Sequence, residues 1–209
     1  MNHPAQHAVY RLQTADRKSG QSKNYQGSYR LIDDSTGQTA ACCDLFGRAI
    51  FTEQGILDRE GCSWVMKPNR KLMPNRWAIS DQQNEIAMIF DQKLLGKLTN
   101  PLYRVALMLF DRNSNERYRL VNAEDSLPDW VFGVGPKEWA LLAGEQPKAK
   151  LVRLPRPGNP GKGLIGQLQK LLRGTDPGII SAGSEHELPG PTALALLLLF
   201  RELTDVSGG

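Results

Sequence analysis

The sequence predicts a mainly β protein, a closed antiparallel β-barrel that encloses a C-terminal hydrophobic α-helix. Three observations carry this expectation. Residues 28–154 read as short alternating strands joined by polar tips, and four hairpins follow one another in that stretch. The run Thr192-Ala193-Leu194-Ala195-Leu196-Leu197-Leu198-Leu199-Phe200 is apolar on every side. With Pro191 in the first turn and Arg201-Glu202-Leu203 at the end it makes about thirteen helical residues, or ~20 Å. A bilayer span needs ~20 apolar residues, so the run is too short to cross and must be wrapped. The preferred wrapping is by this chain itself; a membrane anchor and an oligomer contact are the alternatives.

The first 27 residues are polar, centred on Arg17-Lys18-Ser19-Gly20-Gln21-Ser22-Lys23-Asn24, and read as a tail without the apolar stretch of a secretory signal. The barrel is expected over 28–204, with 205–209 as a second tail. Polar tips at Asp33-Asp34-Ser35-Thr36-Gly37, Asp58-Arg59-Glu60-Gly61, Asp81-Gln82-Gln83-Asn84 and Asp111-Arg112-Asn113-Ser114-Asn115-Glu116 mark the hairpins. In Tyr103 to Phe110, the residues Tyr103, Val105, Leu107 and Leu109 share one strand face. Later strands are expected at Trp130–Val134, Glu138–Leu142 and Lys148–Leu154. A sheet of this size removes its exposed edges by closing. Gly158-Asn159-Pro160-Gly161-Lys162-Gly163 lacks the spacing of a phosphate loop and reads as a connector. Leu164, Leu168, Leu171 and Leu172 then recur at helical spacing up to Gly174, an amphipathic helix that either docks on the barrel or faces an interface.

A long antiparallel meander, the hairpin Trp77-Ala-Ile-Ser-Asp-Gln-Gln-Asn-Glu-Ile-Ala-Met-Ile89 and an apolar terminal helix together resemble the tubby C-terminal-like superfamily, which includes the phospholipid scramblases and the LURP-one-related proteins. The resemblance covers 28–204. It implies a barrel threaded by the terminal helix, and a lipid-binding, membrane-associated role without catalysis. It also implies a calcium-associated acidic segment before that helix. Here the matching stretch, Asp176 to Glu187, offers oxygens only at its two ends, so calcium control is not expected.

Residues with catalytic or metal-binding chemistry are few. Cys42 and Cys43 are adjacent, so on a strand they face opposite ways, and Cys62 stands apart; buried free thiols are expected rather than a metal set or a lipidated cluster. His3 and His7 lie in the tail, and His186, between Glu185 and Glu187, is expected in a solvated loop. The acidic pairs sit at turns, where carboxylates are favoured by local chemistry. No cofactor or metal is expected.

The formal charge is +4 and the pI near 9.0, with cations in two groups. Lys67, Arg70, Lys71 and Arg76 flank Leu72 and Met73 in Met66–Arg76, and Lys148, Lys150 and Arg153 lie on or beside a strand, followed by Arg156 and Lys162. If Leu72 and Met73 are exposed, the first loop combines apolar insertion with attraction to anionic head groups; otherwise they cover the barrel end. The leading reading is a module that binds anionic phospholipid or phosphoinositide head groups, or a protein partner, at the membrane surface. It would be cytoplasmic or peripheral at the inner membrane surface, with no transmembrane span. A nucleic-acid or other polyanion binder is the alternative, weakened by the lack of aromatic residues interleaved with the cations. An enzyme built around His186 ranks last.

Overall fold

The computed structural model describes residues 7–15, 25–92, 105–122, 138–155 and 175–205. Tyr103, the expected strand Trp130–Val134, the connector at Gly158 and the amphipathic segment Leu164–Arg173 lie outside the described residues. Twelve strands run in chain order: β1 (Val9–Ala15), β2 (Tyr25–Asp33), β3 (Gln38–Phe46), β4 (Gln54–Asp58), β5 (Ser63–Pro68), β6 (Arg76–Ser80), β7 (Ile86–Asp91), β8 (Val105–Phe110), β9 (Glu116–Asn122), β10 (Glu138–Ala143), β11 (Gln146–Pro155) and β12 (Thr175–Ser181). Each pairs antiparallel with its sequence neighbour, and β1 pairs with β12 to close the barrel. The helix α1 (Gly190–Asp205) follows β12 and runs through the centre.

Period-two alternation explains which residues line the interior. Along β2, Tyr25, Tyr29 and Leu31 are buried while Gln26 and Arg30 are exposed. Along β3, Ala41, Cys43 and Leu45 point inward. Trp77, Ile79, Met88 and Phe90 fill the β6–β7 section, and Leu107, Leu109, Leu120, Leu141 and Leu151 continue the lining. These side chains surround Ala193 to Leu199, of which every residue is fully or almost fully buried.

Two strands depart from the sequence expectation. Residues 9–15, placed in the polar tail, form β1: Tyr10 and Leu12 enter the core while Arg11 pairs outside with Asp34 at 2.9 Å. Two inward residues among polar neighbours give too short an alternation to stand out. Thr175 to Ser181, not among the expected strands, forms β12 despite Pro177 and Gly178, which ordinarily weigh against a central strand. Gly178 is required by crowding, since a Cβ there would lie 2.8 Å from the Tyr10 carbonyl oxygen and 2.3 Å from Leu154 Cδ1.

Three hairpins repeat one chemistry. Asp58, Asp81 and Asp111 each accept, through Oδ1, the amides two and four residues on, at 2.8–2.9 Å. The fourth position, Gly61, Asn84 or Ser114, adopts positive φ of 83°, 59° or 62°. The aspartates thus do in the fold what turn chemistry alone asks of them. Asp58 also receives the Trp64 indole N–H at 3.0 Å, the main reason its carboxyl titrates below the usual range, with the Cys62 and Glu60 amides adding to it. Asp111 is held low chiefly by the Asn115 amide.

The cysteines separate by face. Cys43 is buried and its thiol is pushed up to about 12, by burial first and then by Asp44 and Cys42. Cys42 on the other face is half-buried; Cys62, expected to be buried, is exposed because it follows the β4–β5 turn.

Leu197 is fully buried inside the barrel. Leu197→Asp is expected to forfeit ~1.5–3 kcal/mol of burial and several more for an unpaired charge, against a domain margin of ~5–15 kcal/mol. The variant should show no cooperative unfolding transition by circular dichroism. Acid should also unfold the protein in a defined direction. Asp58 and Asp111 titrate lower in the fold than at the ordinary value of 3.8, so the native state binds fewer protons than the unfolded one. Their contribution is full above that value and is lost as pH falls through the depressed ones. The thermal midpoint should therefore drop between about pH 5 and pH 2, and Asp58→Asn should make that drop shallower.

Candidate functional site

Because every pairing is antiparallel, the connections alternate between the two ends of the barrel. One end carries the tight turns 34–37, 59–62, 81–85, 111–115 and 144–145, together with 182–189. The other end, here called the rim, carries 47–53 and 69–75 among the described residues.

Both rim connections are pinned. In 69–75, the Asn69 amide donates to the Arg76 carbonyl at 2.8 Å, Arg70 Nε donates to the Met73 carbonyl at 2.8 Å, and Arg70 also reaches Asn75 Oδ1 at 3.2 Å. Met73 sits in the left-handed region at φ 49°, and Leu72 and Met73 are 83% and 74% exposed. They do not cover the barrel end. In 47–53, Glu202 from the last turns of α1 accepts the Ala49 amide at 2.7 Å and the Ile50 amide at 3.3 Å. The Trp77 indole donates to the Ile50 carbonyl at 2.9 Å, and Lys67 reaches Glu53 at 3.4 Å, joining 47–53 to the strand end that leads into 69–75.

The expected cations take different places. Lys67 belongs to β5 and Arg76 to β6, so the loop proper is shorter than the sequence indicated. Arg76 pairs with Asp91 at 2.7 Å, and Arg70 is spent on the loop itself, whereas Lys71 has no ion pair or hydrogen bond and is exposed. Arg48, absent from the sequence expectation, adds a cation 5.3 Å from the Phe51 ring centroid. Its only sequence signal was its place beside a Gly after a strand. Lys148, Lys150 and Arg153 lie on β11, six strands from β5 in either direction, so the two basic groups stand on opposite walls and do not form one site.

The tight-turn end has a cleft of about 270 Å³ whose lining includes Tyr10, Asp33, Asp58, Glu60 and the start of α1 at Gly190. His186 is not solvated as expected: its ring stacks on Tyr10 with centroids 3.4 Å apart, and its Nε2 lies 3.3 Å from Asp33 Oδ2, off the line of a hydrogen bond. Burial raises the Asp33 carboxyl, but hydrogen bonds from the Ser35 hydroxyl and amide, with His186, outweigh it and keep it low. Burial and the Asp33 charge raise the Tyr10 phenol. The Asp33 and Asp58 carboxylates here are ionised and committed to turns. No group of three or more potential metal ligands occurs among the described residues. No described helix is long and apolar enough to cross a membrane.

The fold defines a class: a closed twelve-stranded antiparallel barrel with a helix through its centre. A crystal structure of a protein from Arabidopsis thaliana is similar, with a TM-score of 0.50 over 95% of this chain and 92% of that one, at 10% sequence identity. At that identity the likeness is one of fold. No protein-family model matches the sequence, and no curated protein matches it either.

Glu202 links the core to the rim and gives a direct test. Glu202→Ala leaves the Ala49 and Ile50 amides without their acceptor in a buried place, at a cost of about 1–3 kcal/mol for each unsatisfied group. The expected outcome is a lower thermal midpoint with faster hydrogen exchange at Ala49 and Ile50, while the β8–β9 hairpin keeps its exchange rates.

Proposed function

We propose that this protein is a non-catalytic module of the tubby-like and scramblase type that attaches to anionic phospholipid head groups at the inner membrane surface through its rim. The observation that carries the reading is the exposure of Leu72 and Met73 on a pinned loop flanked by Lys67, Arg70 and Lys71. A monomer ordinarily exposes large apolar side chains singly, and two in succession on a rigid tip mark a contact surface. Cations beside them match an anionic interface, at about 1 kcal/mol per well-placed Lys or Arg. The barrel with its central helix supports the superfamily assignment, and no active site is required. The β11 cations play no part in this reading because they face the opposite side.

Flotation with phosphatidylserine-containing vesicles, neutral vesicles and an oligonucleotide control tests it. Binding should be confined to the anionic vesicles and weaken with salt. Replacing Lys67 and Lys71 with Ala should lower vesicle partition roughly thirtyfold without changing the thermal midpoint, since exposed charges contribute little to stability. Replacing Lys148, Lys150 and Arg153 should leave partition unchanged. Salt-dependent binding to the oligonucleotide with none to vesicles would establish the polyanion reading instead.

A further inference from the structure

We infer that Phe46 and Phe51 join Leu72 and Met73 in a preformed apolar wedge that enters the acyl boundary of an anionic bilayer, with the barrel standing on its rim. This rests on the membrane-attachment reading and adds to it the residues that penetrate and the orientation that follows.

Phe46 and Phe51 are 51% and 39% exposed, which makes four of the six large exposed apolar residues among the described residues rim residues. The other two, Leu57 and Ile86, sit apart on β4 and β7 toward the tight-turn end. Phe46 ends β3 and leads into the connection that carries Phe51, Leu72 and Met73 lie in the next rim connection, and Glu53 of the first pairs with Lys67 at the end of β5 that leads into the second, so the four form one feature rather than two accidents of exposure. Neither connection needs to fold on contact. Glu202 and Trp77 hold 47–53, Arg70 holds 69–75, and the Tyr25 ring packs edge-on against Phe46 at 5.5 Å. A wedge that is already ordered enters the interface without an ordering cost.

Charge selects the occupant. Arg48, Lys67, Arg70, Lys71 and Arg76 surround the apolar residues, against Glu53, Asp91 and Glu202, the last paired with Arg48 at 3.6 Å, which leaves a net positive rim. A second copy of the chain would set like charges face to face, whereas a bilayer with anionic lipid accepts the apolar tips and the cations at once. Arg48 over Phe51 has the form this requires, an apolar ring beneath a cation that stays at head-group level.

The test uses the full chain with phosphatidylserine-containing vesicles. Hydrogen exchange should slow at both 47–53 and 69–75 on vesicle addition and stay unchanged at 81–85 and 111–115 on the far end. Phe46→Ser with Phe51→Ser, and separately Leu72→Ser with Met73→Ser, should each lower partition about tenfold while leaving the salt dependence intact. Matching thermal midpoints would show that the variants remain folded, and exchange on the unaltered chain reads the same wedge without any substitution. Undiminished partition in the Phe46 and Phe51 variant, with no protection of 47–53, would overturn the wedge while leaving charge-driven attachment standing. Failure of the unaltered chain to bind anionic vesicles would overturn both, and rim protection by an acidic protein alone would assign the surface to that partner.

Discussion

A helix that is apolar all round has no face to give to water, and the rest of the molecule follows from that constraint. Ala193 to Leu199 must be enclosed on every side, and a sheet achieves this only by closing. Twelve strands set the size. With strands about 4.8 Å apart and tilted by about 40°, twelve give a barrel radius of roughly 12 Å. A helix with its side chains takes about half of that and one inward layer of side chains takes the remainder. An eight-stranded barrel would be filled by its own side chains. Entry of the helix is equally tight: a Cβ at Gly190 would stand 2.5 Å from the Ala40 carbonyl oxygen.

Closure also sorts the loops. A meander of antiparallel strands sends successive connections to opposite ends, so chemistry placed in alternate connections accumulates at one end without any further device. The aspartate-capped turns collect at one end, and 47–53 with 69–75 collect at the other. Glu202 ties this sorting to the core, because its carboxylate reaches the rim from the end of the enclosed helix and takes the Ala49 and Ile50 amides. The same helix that requires the barrel thereby fixes a connection that carries exposed Phe51 and Arg48.

How much of this was legible in the sequence depended on how local each signal was. The four hairpins were readable because turn residues sit between alternating runs, and Asp58, Asp81 and Asp111 use the hydrogen bonds that such positions predict. The terminal helix was readable from composition alone. β1 and β12 were not, since one has only Tyr10 and Leu12 to point inward and the other contains Pro177 and Gly178; both are strands because closure pairs them. The rim was half legible. Leu72 and Met73 stood between cations in one loop, but Phe46, Arg48 and Phe51 lie some twenty residues earlier and join them only through the parity of the meander. His186 shows the same limit, for no local pattern announces that Tyr10 and Asp33 will enclose it.

The placement of the cations, rather than their number, favours the proposed mode of attachment over binding by charge alone. A surface that bound polyanions by charge alone would gain from every Lys and Arg, and β11 would then matter as much as β5 and β6. The barrel instead separates the two groups by half its circumference, and among the described residues only one of them adjoins exposed apolar side chains. Charge acts over a Debye length of about 10 Å in moderate salt, whereas apolar contact acts only where surfaces touch. On the proposed reading, a rim that has both is drawn from a distance by one force and held by the other, while the described residues of the β11 wall offer only the first. That asymmetry supports the proposal that the rim is the membrane-facing end, with the aspartate-lined end and its cleft beside Tyr10 and Asp33 at the other end of the barrel.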